Sequence, residues 1–188
     1  LFSHAQVYIG DVENRYLTGE VRRRVMNGWF KLPKVIIPNK KTLLHAGDVF
    51  EIDGIKIETI LVPGHTWCHV LYLFDDEYLF SADTIWLGAD GGYSFINKLA
   101  EDNKLAVESL AKLEGILRQR GLNPKIITGH TGWADDINFV FAHTDEVCNV
   151  NKPVKVHDPK APYDGFDESE DTEENARSGY LAQCYKAI

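Results

Sequence analysis

A histidine in the turn "PGHT" (63–66), an aspartate in "SADT" (81–84) and a histidine in "GHTG" (129–132) are the residues whose types and settings suit chemistry. Each stands just after an apolar run of strand type: "IKIETI" (55–60) before His65, "YLFSA" (78–82) before Asp83, and "KIIT" (125–128) before His130. A single histidine in a turn is more often a hydrogen-bonded loop residue than a ligand. An aspartate before threonine is often an ordinary cap. Three metal-capable side chains at three strand mouths are another matter, because loops at strand ends converge in layered sheets. Two imidazoles and a carboxylate suit zinc, with iron or manganese as alternatives.

The elements that must carry these residues are legible in part. "VFEI-DG-IKIETI" (49–60) holds two alternating runs around Asp53-Gly54, the pairing that a tight hairpin turn with two positive φ angles requires. "VLYLF-DDE-YLFSA" (70–82) reads as a second hairpin. "AQVYI" (5–9) and "KVII" (34–37) predict short strands, and 11–27 a partly helical segment capped by Asp11 and interrupted at Gly19. In 100–117, Ala106, Leu110, Leu113 and Leu117 share one helical face, and Gly121 marks its end. Trp133, Ile137, Val140, Phe141 and Thr144 predict another amphipathic helix. After Asn151 the chain turns Pro-rich and then acidic, with six Asp or Glu among residues 167–174, leading into a short helix carrying Tyr180, Leu181 and Cys184. The domain boundaries read as 1–150, with 151–188 an extension.

Composition narrows the function classes. A formal net charge of −8 without a basic stripe argues against nucleic acid. No apolar run reaches membrane-spanning length. Cys68, Cys148 and Cys184 are too few and too irregular for a disulfide framework, which points to a reducing, cytoplasmic compartment, although a removed upstream signal stays open because the first residue is Leu1. Cys68 beside His69 invites a nucleophile–base reading. Adjacent strand residues point to opposite faces, so thiol and imidazole are not expected to meet.

"PGHTWCHVLYLF", "YLFSADTIW" and "IITGHTG" together resemble the later motifs of the metallo-β-lactamase superfamily, over roughly residues 5–140. The resemblance implies an αββα sandwich with a metal site along one edge of its two sheets. It implies His65 as a ligand of one metal, Asp83 as the carboxylate bridging two metals, and His130 as a ligand of the second. One or two zinc ions, or iron or manganese, would then activate water as hydroxide, which attacks a small ester, lactone, thioester or amide. Asp83 carries the catalytic role, and Trp86, Tyr93 and Trp133 are candidates to line the substrate pocket.

The departures from that pattern matter as much. The superfamily's early His-x-His-x-Asp-His signature is absent, and His4 and His45 do not have its spacing. Trp67 and Cys68 stand where Pro-Gly is usual, and Ala82 where Gly is usual. The expectation is that the N-terminal part of the first sheet, with further ligands, comes from an upstream segment or a partner chain. A non-catalytic binding or scaffold protein of the same fold, and an iron-containing oxidoreductase of the same superfamily, are the alternatives. Substrate identity and oligomeric state stay open.

Overall fold

The computed structural model describes residues 4–21, 33–94, 98–147 and 156–157. Its centre is a six-stranded sheet built from β3 (Val49–Ile52), β4 (Ile55–Leu61), β5 (Val70–Phe74), β6 (Tyr78–Ala82), β9 (Lys125–Thr128) and β10 (Trp133–Ala134). The spatial order is β10-β9-β6-β5-β4-β3. Both hairpins form where alternation predicts them. Asp53 and Gly54 take φ of 52° and 84°, and the second turn places Asp75 and Asp76 at 48° and 61°. Within this sheet, as described, β6 and β9 alone pair in parallel, after the crossover that contains helix α2 (Asn103–Gln119).

One face of this sheet holds the core. Ile60, Leu71, Leu73, Leu79 and Ile126 lie on it, and α2 contributes Leu110, Leu113 and Leu117 to the same cluster. These are the positions that the 3.6-residue period selected. Asp102 caps α2 through the Leu105 amide at 2.9 Å. Ile85 and Leu87 of β7 (Ile85–Gly88) and Ile137 and Val140 of α3 (Ile137–Val140) join the same cluster. β7, β8 (Gly91–Ser94) and β11 (His143–Val147) form a three-stranded sheet against which α2 packs.

The opposite face carries Phe50, Tyr72, Phe74, Tyr78, Phe80, Ile127 and Trp133, by the register of the strand pairs. A second, small layer covers part of it. Here β1 (Val7–Gly10) and β2 (Lys41–Leu44) pair in parallel, joined by a connection that includes α1 (Asp11–Leu17). Tyr8 stacks on Phe50 at 5.1 Å, and Gly10 lies against Val70. Beyond that cover, Tyr78 and Phe80 stay 44% and 42% exposed. Parallel strands are normally buried on both faces in larger sheets, so a two-stranded parallel layer is an unusual end point.

Three expectations are corrected. "KVII" (34–37) is not a strand: Ile36 is 87% exposed, and the strand pairing with β1 begins at Lys41, where Leu44 is buried. The segment after Trp133 is not one long helix. It makes two residues of β10, the single turn of α3 capped by Asp136, and then β11, so Thr144 lies in a strand. The buried positions Ile137, Val140 and Phe141 fit either a helix or a strand–turn–strand course, and the pairing of β11 with β8 settles which forms. Asp11 is inside α1 rather than its cap, which is Gly10. The acidic run and terminal helix lie outside the described residues; Val156 bridges to Gly88, and the His157 amide bonds the Leu87 carbonyl.

Candidate metal centre

Topology brings the three polar residues to one sheet edge. β5 is antiparallel to both β4 and β6, and β9 is parallel to β6. The C-terminal ends of β4, β6 and β9 therefore share an edge with the start of β5. His65 sits in the connection between β4 and β5, Asp83 one residue past β6, and His130 two residues past β9.

Local backbone detail completes the placement. The parallel β6–β9 register shifts between Phe80 and Ala82, and Ala82 takes a left-handed φ of 45°. That twist turns Asp83 out of the strand direction. The Gly129 amide bonds the Ala82 carbonyl at 2.7 Å, and a Cβ on Gly129 would come within 2.4 Å of Asp83 Oδ1. Asp83 occupies the space that a side chain at 129 would fill. Across the sheet, Gly64 at φ 141° lies against helix α2, where a Cβ would meet the Ala106 backbone at 2.2 Å. Only glycine permits the turn to approach so closely.

The resulting geometry is compact. His65 Nε2 stands 3.5 Å from Asp83 Oδ2, and His130 Nε2 stands 3.1 Å from Asp83 Oδ1. Each carboxylate oxygen thus faces one imidazole. Burial raises the Asp83 pKa, but the His65 hydrogen bond and the His130, His65 and His69 imidazoles outweigh it and hold the carboxyl below its ordinary range. Asp83 is a carboxylate at neutral pH.

These distances bear on whether a metal fits. With zinc–ligand bonds of about 2.0–2.1 Å, two ligands of one tetrahedral ion lie about 3.3 Å apart. Both Asp83–imidazole separations are close to that edge length. Among the described residues, however, no group of three or more His, Cys, Asp or Glu side chains is arranged to hold one ion. The three side chains form two Asp83–imidazole pairs and do not make a complete shell for an ion.

A cleft of about 300 Å³ opens beside this centre, lined by Glu13, His65, Thr66, His69, Val70, Tyr72, Ala82 and Asp83. Trp86, Tyr93 and Trp133 are not among its lining residues. Trp86 and Tyr93 pair across the β7–β8 hairpin, where the Tyr93 hydroxyl donates to Asp90 at 3.0 Å and its ring stacks on His143 at 5.0 Å. Trp133 lies on the outward face of the large sheet, under the Lys125 ammonium at 4.0 Å.

The cleft's other walls come from Tyr72 and Glu13, which sequence patterns left unmarked, and from His69, whose place beside the turn the sequence already suggests. Tyr72 faces it through strand alternation two residues after Val70. Burial, and then the Glu13 carboxylate, push its phenol above the ordinary range, so the hydroxyl is neutral. His69 packs edge-on to His65 at 5.6 Å. Glu13 arrives on α1, and no local signal marks it. Cys68 is buried, 3.5 Å from the Thr66 hydroxyl.

Comparison with known proteins follows the same lines. No family model matches the chain. A hydroxyacylglutathione hydrolase of Dictyostelium discoideum is 32% identical over 116 residues, covering 58% of this chain and 40% of the relative. One of Trichormus variabilis is 28% identical over 123 residues, covering 62% and 44%. The chain spans less than half the length of these relatives. A solved archaeal metallo-β-lactamase superfamily protein from Sulfolobus tokodaii aligns with a TM-score of 0.48 and 20% identity over 70% of this chain and 54% of that one. The sequence matches agree with the motif resemblance to the metallo-β-lactamase superfamily, each over part of the relative's length.

Proposed function

We propose, on the premise of that superfamily, that this chain carries half the ligands of a metal-dependent hydrolase acting on a small ester, lactone, thioester or amide. The observation that carries the reading is Asp83, a carboxylate whose two oxygens each face one imidazole at the shared ends of three strands. The named activity of the curated relatives favours a thioester. Zinc suits the donor set, with iron or manganese next. When bound, such an ion supplies a Lewis acid and a water acidic enough to ionise near neutral pH.

The chain's own residues have distinct tasks. His65 and His130 present Nε2 atoms from opposite sides, and Asp83 spans them as a permanent negative charge. Tyr72, with a neutral hydroxyl in the cleft, is suited to donate a hydrogen bond to a substrate oxygen. Val70 and Ala82 give the cleft an apolar floor. Cys68 takes no part, because its thiol is buried beneath the turn. Trp86, Tyr93 and Trp133 yield the substrate wall to Glu13, His69 and Tyr72.

The ligand count requires a complement. Two protein ligands on each side are too few to hold an ion firmly or to tune its water. The remaining ligands come from a further polypeptide segment that adds strands to the β1–β2 layer and covers the outward face around Tyr78 and Phe80. In the 188 residues alone, activity is nearly absent.

The test is hydrolysis of a panel of acyl-thioesters, lactones and esters by the complete protein, with and without a chelator. Chelator-sensitive turnover that Asp83→Asn abolishes and Cys68→Ser leaves intact is the expected result. Turnover that resists chelation, or that Cys68→Ser removes while Asp83→Asn does not, rejects the reading.

A further inference from the structure

His65 is held by more than its own turn. The carbonyl of Gly64, just before it, accepts the Asp102 amide at 2.9 Å. Its own carbonyl accepts the Glu101 amide at 3.1 Å. Beyond it, the Trp67 amide donates to Glu101 Oε2 at 2.7 Å. Residues 101 and 102, at the start of α2, thus grip the turn on both sides of the imidazole. Asp102 at the same time caps the helix, which ties the grip to the element that carries Leu110, Leu113 and Leu117 into the core. Of these bonds, the one to Trp67 runs through a side chain, has the short length of a charge-assisted hydrogen bond, and is removable without altering the backbone.

We propose that Glu101 is a positioning residue of the metal centre: its carboxylate, bonded to the Trp67 amide, fixes the 65–67 turn so that the His65 imidazole stays against Asp83. This rests on the metal-centre reading above, and it assigns a role to a residue far from His65 in sequence. The physical ground is rotational freedom. An imidazole on a free turn samples many orientations, whereas a turn anchored before and after the residue leaves mainly the side-chain rotamer. Groups that orient a ligand from behind commonly change metal affinity by about 10–100-fold when removed.

The experiment uses the 188-residue chain with excess Co²⁺, followed by paramagnetic broadening of the His65 and His130 ring protons. Exchange of the Trp67 amide and the nuclear Overhauser contact between the His65 and His69 rings are read in parallel without metal. Glu101→Ala is expected to weaken Co²⁺ broadening at His65 about tenfold, to leave His130 within about twofold, and to accelerate Trp67 exchange. Glu101→Gln, whose amide oxygen still accepts the Trp67 N–H, should stay close to wild type. Glu101→Lys, which keeps the aliphatic stem but cannot accept, should behave as Glu101→Ala and serves where the alanine variant does not fold. Equal losses at both histidines, or a glutamine variant no better than alanine, would overturn the proposal.

Where Co²⁺ broadens neither ring of the wild type, as half-sites of two ligands allow, the metal-free signals alone judge the grip. A His65–His69 contact that is lost in Glu101→Ala and kept in Glu101→Gln then upholds it. A contact unchanged in both defeats it.

Discussion

Gly129 and Asp83 compete for one volume. A methyl group at 129 would sit 2.4 Å from Asp83 Oδ1, well inside van der Waals contact. Gly129→Ala should therefore displace the carboxylate from His130 while leaving the fold intact. Its expected effect is a loss of metal affinity on the order of tenfold or more, measured by chelator competition on the complete protein. Asp83→Asn keeps the shape but removes the charge. It should also change the acid limb of stability. The native pKa of Asp83 lies below its unfolded value of about 3.9, so the carboxylate stabilises the fold above that pH and the contribution vanishes as pH falls through the native value. Denaturation midpoints taken from pH 7 down to strong acid should fall more steeply for the wild type than for Asp83→Asn. Parallel curves would mean that the two imidazoles do not stabilise the charge.

Element by element, legibility followed the strength of the local pattern. The Asp53-Gly54 hairpin and α2 were readable because one turn chemistry and one 3.6-residue stripe each admit a single answer. The meeting of His65, Asp83 and His130 at one sheet edge was readable because each follows a strand. "KVII" was misread, since a short apolar run carries no information on whether a partner strand lies beside it. Residues 133–144 were misread because their buried positions satisfy more than one course, and only the pairing of β11 with β8 decides. Glu13 was invisible: its place at the cleft is set by how α1 sits across the sheet, a fact of packing. The element most responsible for the site's rigidity is α2, whose Leu110 and Leu113 are fully buried. Leu113→Ala should cost about 2–5 kcal/mol of stability by chemical denaturation. Through residues 101–102 it should also loosen the His65 turn before the His130 strand end. Equal loosening of both, seen by amide exchange, would mean that α2 does not single out that turn.

For the molecule as a whole, the outward face of the large sheet is the open question that the fold poses. Tyr78 and Phe80 are exposed on a face that also bears Phe74 and Trp133, and a contiguous apolar surface of this kind favours association. The 188-residue chain should bind a hydrophobic dye and self-associate. Tyr78→Lys with Phe80→Lys should reduce both effects, as read by dye fluorescence and sedimentation. In a protein that has the covering segment, the same pair should instead destabilise the fold. Dye binding that ignores these substitutions would place the sticky surface elsewhere.

His65 and His130 are proposed to hold metal on either side of Asp83. Anomalous diffraction at the zinc edge, from crystals of the complete protein grown with zinc, tests it most directly. A peak bonded to Asp83 together with His65 or His130 is expected, and two peaks when both half-sites are filled. A protein that hydrolyses its substrate with no anomalous peak in bonding contact with Asp83, or with its metal bound elsewhere, would contradict it.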